Sequence, residues 1–200
     1  MPAINEFPIA RRPPMKQQGV AAVEFAIVAM IFFVLFFGIV ELARAMYICN
    51  TLQEVTRRAA ALAVNTDFSD ATAMQQVRER SIFRDSPGLL VFADPITDQN
   101  IKIDYLQIPA TSSEPVSMGA ALPSSPQVNR VNCATNPNAT NCIRLVRVRI
   151  CLPDGNSATC TPVPYKTLTS FIPLPFSLPF ATTVAKVETF GMPPGMPCAC

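Results

Sequence analysis

The sequence predicts an α+β fold: a long N-terminal transmembrane and amphipathic α-helix, then a small antiparallel β-sheet domain with a second, short helix. Three observations predict it. Val20–Val40 is a run of 21 residues broken by one charge, Glu24. No proline lies between Met15 and Ser86, and from Val20 to Ser86 the only glycine is Gly38. From Pro87 onward come 16 of the 20 prolines, scattered among Ser, Thr, Asn and short apolar stretches, the composition of strands and loops.

The apolar run comes first. At ~1.5 Å rise per residue it covers roughly the ~30 Å hydrocarbon core of a bilayer, so it reads as a membrane-spanning helix. A secretory signal has a shorter apolar stretch, about 7 to 15 residues, and ends at a small-residue cleavage site. Here Glu41, Leu42, Ala43 and Arg44 continue the helical pattern, which favours a retained span over a cleaved signal. Three basic residues precede the span (Arg11, Arg12, Lys16) and three follow it (Arg44, Arg57, Arg58). The leading three are packed closer to the membrane edge, which favours a cytoplasmic N-terminus. Glu24 needs an explanation, because a carboxylate inside a membrane is costly and marks function by default.

After the span the apolar pattern narrows to a stripe at steps of three and four: Leu42, Ala45, Met46, Cys49, Leu52, Val55, Ala59, Leu62 and Ala63. The opposite face carries Glu41, Arg44, Asn50, Gln53, Glu54, Arg57 and Arg58. Val20–Ala63 would make a rod of 44 residues, about 66 Å long. A plain anchor with a stalk fits this pattern as well.

The second part reads as one domain. Asp67–Phe83 predicts a helix capped by Asp67 or Ser69, with Ala71, Met74, Val77, Ser81 and Ile82 on its buried side. Strands are expected over Ile101–Ile108, Ile143–Ile150, a proline-interrupted Tyr165–Phe176, and Ala181–Phe190. In Ile143–Ile150 the alternation puts Val146, Val148 and Ile150 on one face, and Arg147 and Arg149 on the other. With Arg144, those arginines read as a solvated strand face. An antiparallel sheet packed on the long helix would bury the stripe from Cys49 to Ala63.

Seven cysteines stand at 49, 133, 142, 151, 160, 198 and 200. Cys133 and Cys142 have the same spacing as Cys151 and Cys160, and the second pair brackets the turn sequence Asp154-Gly155-Asn156. That spacing favours two local disulfides in an oxidising compartment, although four cysteines allow three pairings. Cys49, on the stripe, is expected to be a buried free thiol. A zinc site would want close Cys-x-x-Cys or Cys/His pairs, and the chain has no histidine. The best metal donor pair, Cys198 with Cys200, fits a disulfide as well.

Without histidine the usual Ser/His and Cys/His nucleophile pairs are excluded, and no Gly-rich phosphate loop follows a strand. Neither an enzyme nor a cofactor is expected. Residues 20–200 balance 13 basic against 13 acidic residues, from 16 − 3 and 14 − 1. A neutral body without a basic block excludes nucleic acid as an expected partner.

The string Gly19-Val20-Ala21-Ala22-Val23-Glu24-Phe25 resembles the processing site of type IV prepilins. The following Gly38-Ile39-Val40-Glu41-Leu42-Ala43-Arg44, with Tyr47, Asn50-Thr51-Leu52-Gln53 and Arg57, resembles the TadE/TadG-like family, the minor pseudopilins of tight-adherence (Flp-type) pilus systems. Phe180–Glu188 resembles the family's closing strand. The likeness covers residues 19–63, is weaker over 143–190, and is absent between. Met30 stands where members often carry proline, and the cysteine-rich middle and proline-rich tail depart from the family.

The resemblance implies a type IV pilin-like fold with a leader at 1–19, a transmembrane and stalk helix at 20–64, and an extracytoplasmic α+β domain at 65–200. It implies a prepilin peptidase cutting between Gly19 and Val20. Glu24, beside Phe25, would pair with the freed amine of a neighbouring subunit and set axial register. The implied partners are membrane lipid, other pilins or pseudopilins and the assembly platform. The implied location is the bacterial inner membrane, single-pass, with the C-terminal domain periplasmic, and then the pilus or cell surface. A permanently anchored binding module or adhesin is the alternative.

Overall fold

Helix α1 runs from Gln18 to Ala63 in the computed structural model of this chain, which describes residues 18–153, 159–168, 176–187 and 189–192. Arg11, Arg12, Lys16, the Asp154-Gly155-Asn156 turn, residues 169–175, Glu188, Cys198 and Cys200 lie outside the described residues. The chain divides into two compact units between Val40 and Glu41.

In the first unit, every residue from Gly19 to Val40 is exposed except the half-buried Ala29 and Gly38. Phenylalanines one turn apart lie against each other: Phe32 on Phe36 with ring centroids 6.2 Å apart, and Phe33 on Phe37 at 6.1 Å. These i,i+4 contacts support the helix but leave about half of each of these residues uncovered. A helix that is apolar all round needs an apolar environment, either a protein core or a membrane. Gly19–Val40 carries the composition of the second, and a single N-terminal helix of this kind is consistent with single-pass anchoring.

In the second unit α1 is amphipathic. Ala45, Ile48, Leu52, Val55, Ala59, Ala60 and Ala63 are buried and join one core with the sheet. The stripe lies slightly round the helix from where the sequence places it. Leu42 and Met46 are exposed, at 62% and 60%, the free thiol Cys49 is half-buried rather than buried, and Ile48 is fully buried. Glu41 is buried as well, at 2%, and so does not belong to a solvent face. Helical geometry gives the reason: eleven residues are close to three turns, so Glu41 lies in line with Leu52 on the centre of the buried face.

The helix ends where side chains take over its last carbonyls. Asn65 Nδ2 donates to Ala61 O at 2.9 Å and Thr66 Oγ1 to Leu62 O at 2.8 Å. Gly191, at φ +77°, packs on this end, and a Cβ there would stand 2.5 Å from Asn65 O, so only glycine fits.

Helix α2 (Ala71–Ser81) is capped by Asp70, whose side chain accepts from Thr72 N and Ala73 N. This replaces the expected caps. Asp67 instead accepts from Ser69 N and Ser69 Oγ, forming a turn one step upstream. Met74, Val77, Ser81 and Ile82 are buried, while Ala71, in the first turn, is exposed. A 3-10 turn (Asp98–Asn100) leads into β1.

The sheet is four-stranded and antiparallel, β2-β1-β3-β4, from β1 (Ile101–Gln107), β2 (Val116–Ser117), β3 (Leu145–Ile150) and β4 (Thr182–Lys186). Its register pairs Ile101 with Ile150, Ile103 with Val148 and Tyr105 with Val146, placing these side chains on one face as alternation requires. That face meets α1, where the hydroxyls of Thr56 and Thr183 lie 2.9 Å apart.

Tyr165–Phe176 forms no strand among the described residues, and Pro164 with Ser177 makes only an isolated bridge. Prolines supply no N–H to a ladder there. Helix α3 (Pro126–Thr135), which the strand and loop reading passes over, starts with Ser125 accepting from Val128 N and a proline in the first turn.

Candidate functional site

Gly19 and Val20 lie in the first turns of α1, exposed, with nothing within 4 Å of where a Gly19 Cβ would stand. Glu24 and Phe25 follow one turn later. Phe25 is 75% exposed, and Glu24 has no hydrogen-bond or ion-pair partner among the described residues. The helix thus presents a carboxylate that nothing described in its own chain neutralises.

A second carboxylate, Glu41, begins the second unit in the opposite situation. Its Oε1 accepts from Tyr165 O–H at 2.6 Å, Leu168 N reaches both oxygens at 3.3 and 3.2 Å, and Arg44 Nη1 lies 3.6 Å away. Arg44, one turn on, donates to three backbone carbonyls: Phe92 O at 3.0 Å, Lys166 O at 2.6 Å and Asp94 O at 3.2 Å. Its guanidinium also donates to the Tyr165 hydroxyl at 3.2 Å and stands 5.3 Å from that ring's centroid. The other neighbour of the Tyr165 ring is Phe176, stacked at 4.6 Å.

Burial, and then the hydrogen bond to the Glu41 carboxylate, push the Tyr165 hydroxyl above its ordinary pKa, partly opposed by Arg44. Both ions of the pair are therefore satisfied, the condition under which burying charge is tolerable. The exposed Lys166–Asp94 pair at 2.6 Å adds little by itself. The arrangement is a clamp tying one helical turn to loops 92–94 and 165–168.

Asp104 and two arginines form the other buried ionic group. Asp104 Oδ2 accepts from Arg147 Nε at 3.2 Å and from Arg149 Nε and Nη2 at 3.0 and 2.6 Å, while Arg144 donates to Pro137 O at 3.1 Å. The arginine face is therefore half-buried, with Arg147 and Arg149 ion-paired to Asp104, rather than a freely solvated face. Asp104 lies opposite Arg147 in the register, diagonal to Arg149, and is 8% exposed.

Cys133 with Cys142, and Cys151 with Cys160, are disulfide-bonded, with Cα separations of 4.9 and 5.1 Å. The first bond ties α3 to the start of β3, where Ile143 N donates to Asn129 Oδ1 at 2.7 Å. Beside the second, Asn100 Nδ2 donates to Cys151 O at 2.9 Å. Among the described residues no group of three or more His, Cys, Asp and Glu gathers as a metal site.

The structure brings Glu41, Arg44 and Tyr165 together where the sequence places the first two on a polar face. A signal for Glu41 was present, because the steps back from Leu52 through Ile48 and Ala45 arrive at 41. Nothing local pointed to Tyr165, 124 residues away.

Residues 19–61 match the model of a family described as TadE-like protein. No curated protein and no solved structure matches the chain.

Proposed function

Residues 19–61 are TadE-like, and on that premise we propose that the chain is a minor pilin or pseudopilin of a tight-adherence pilus, a structural and assembly component rather than an enzyme. The observation that carries the reading is Glu24. It sits fifth from Val20 on an exposed apolar helix, and no described residue neutralises it. A carboxylate at the centre of a bilayer costs at least ~2.5 kcal/mol, less toward an end, and a partner ammonium offsets that cost.

Cleavage after Gly19 by a prepilin peptidase would create such an ammonium on Val20. The amine of one subunit could then meet Glu24 of the next and fix their axial register, with Phe25 packing beside them. In this reading residues 1–19 are the leader, 20–64 the membrane and stalk helix, and 65–200 the extracytoplasmic domain. The N-terminus is cytoplasmic, and the domain lies in the periplasm, an oxidising compartment in which the two disulfides persist. The partners are lipid, the peptidase, other pilins and the assembly platform.

The test is the intact mass and N-terminal sequence of the protein extracted from membranes, together with Glu24→Ala. The expected mature chain begins at Val20, and the variant inserts but does not assemble. A chain still carrying its leader, with Glu24→Ala behaving as wild type, would instead describe a permanently anchored binding module.

A further inference from the structure

The second unit carries an uncovered apolar rim on the loops that hold the turn Glu41–Tyr47. Arg44 bonds the carbonyls of Phe92 and Asp94, Tyr47 O–H donates to Val91 O at 3.4 Å, and Leu168 N donates to Glu41. Beyond those bonds the same loops turn apolar side chains outward. Phe92 is 77% exposed, Leu168 62% and Val91 51%, and on the helical turn itself Leu42 and Met46 are equally open.

Phe92 also sits at φ +58°, the left-handed region that costs an aromatic residue energy, and its ring gains little burial in return. Beside it is a hollow of about 270 Å³ with an apolar wall from Leu89 to Phe92 and Leu168, edged by Arg44, Arg84 and Asp94.

We infer that this rim is a lipid-contact surface, seated in the headgroup and upper acyl region of the bilayer that the apolar run enters. Place in the chain identifies the occupant. Glu41 directly follows Val40, the last residue of the apolar run, and at ~1.5 Å per residue the turn to Arg44, which bonds Phe92 O and Asp94 O, extends only about 6 Å further. The interfacial zone beyond the hydrocarbon is roughly 5–8 Å thick on each side. Groups that hydrogen-bond to this turn therefore stand at the same depth.

The chemistry agrees with that depth. Aromatic and aliphatic side chains project outward, Tyr47 supplies an amphipathic ring, and Arg84 brings positive charge suited to anionic headgroups. The inference rests on residues 20–40 spanning the membrane, but not on leader cleavage or pilus assembly.

The chain contains no tryptophan, so a single introduced indole reports one position. Phe92→Trp, Leu168→Trp, Phe33→Trp in the apolar run and Val116→Trp are made in the full chain. Each is reconstituted in phosphatidylcholine and phosphatidylglycerol vesicles with bromines high on the acyl chains. Val116 is the distant control. On β2 it pairs with Gln107, two residues from Tyr105, whose ring meets Phe68 and Phe190 near the Ala63 end of α1, about 33 Å along the helix from Glu41.

Expected for positions 92 and 168 is blue-shifted emission that loses most of its intensity in the brominated vesicles, while position 116 keeps its emission and is quenched by aqueous iodide. If positions 92 and 168 behave like 116 while 33 is lipid-quenched, the rim is not a lipid contact. Blue-shifted emission that ignores bromine and weakens on dilution into excess lipid would mean that a second copy covers it, which also overturns the inference. If position 33 is unquenched, the spanning reading fails and the inference with it.

Discussion

Glu24 and Glu41 stand on one helix, 17 residues apart, and their surroundings differ in almost every respect. Glu24 lies among exposed apolar side chains with no partner among the described residues, whereas Glu41 is 2% exposed and accepts from Tyr165 O–H and Leu168 N beside Arg44. The two halves of α1 differ in the same way. Gly19–Val40 is apolar on every face and covered by nothing described, while from Glu41 to Ala63 a single stripe is covered by a sheet. A continuous helix requires only the absence of breakers, and what each half is for depends on the solvent its surface implies. The second half has its apolar solvent within the domain, and the first must find it outside.

The largest expected effect breaks the comparison at its polar end. Glu41→Ala leaves Arg44 buried without its carboxylate and should cost about 3–5 kcal/mol of domain stability. Glu24→Ala should leave the unfolding midpoint of the domain unchanged. Denaturant titration of both variants in detergent, followed by near-ultraviolet circular dichroism, checks the contrast, and equal destabilisation would refute it.

Next comes the apolar contrast. Leu52 is fully buried and Leu42 exposed, so Leu52→Ala should lose about 2–5 kcal/mol and Leu42→Ala less than about 0.5 kcal/mol in the same titration. A smaller effect is expected from the staples. Replacing Cys133 and Cys142 together by serine should cost roughly 2.5 kcal/mol by the loop-closure relation for a loop of about ten residues. Reducing the wild type should lower its melting temperature further, because the Cys151–Cys160 bond opens as well.

Last is Tyr165→Phe, which removes the hydroxyl that donates to Glu41 and accepts from Arg44, hydrogen bonds to charged groups of about 1.5–3 kcal/mol. It should also change the alkaline limb of the stability profile. The folded pKa of Tyr165 is raised, so the stability it contributes is intact below pH ~10, the ordinary tyrosine value, and is lost as pH rises through the raised value. Tyr105, raised mainly by burial, acts in the same direction. The variant should therefore lose less stability between pH 9 and 11 than the wild type, and parallel profiles would show that Tyr165 does not titrate in that window.

Much of this was legible along the chain because it depends on near neighbours. The breaker-free stretch from Val20 to Ala63 and the alternation of Val146, Val148 and Ile150 act through contacts a few residues apart, whereas the Ser125-Pro126 start of α3, equally local, is one the strand and loop reading passes over. Legibility failed where a long-range partner decided the outcome. Arg147 and Arg149 look like a wet face until β1 sets Asp104 against them, and Tyr165 reads as part of a strand until its hydroxyl meets Glu41.

By itself, then, the sequence determined a long helix with an apolar first half, a lone charge at Glu24, a β-rich remainder and two equally spaced cysteine pairs, since propensity, period and spacing are local properties. Only the tertiary structure decided which carboxylate is satisfied, how far round the helix the buried stripe lies and which loops expose Val91, Phe92 and Leu168. Those outcomes depend on burial and on donors more than a hundred residues away, which no local pattern encodes.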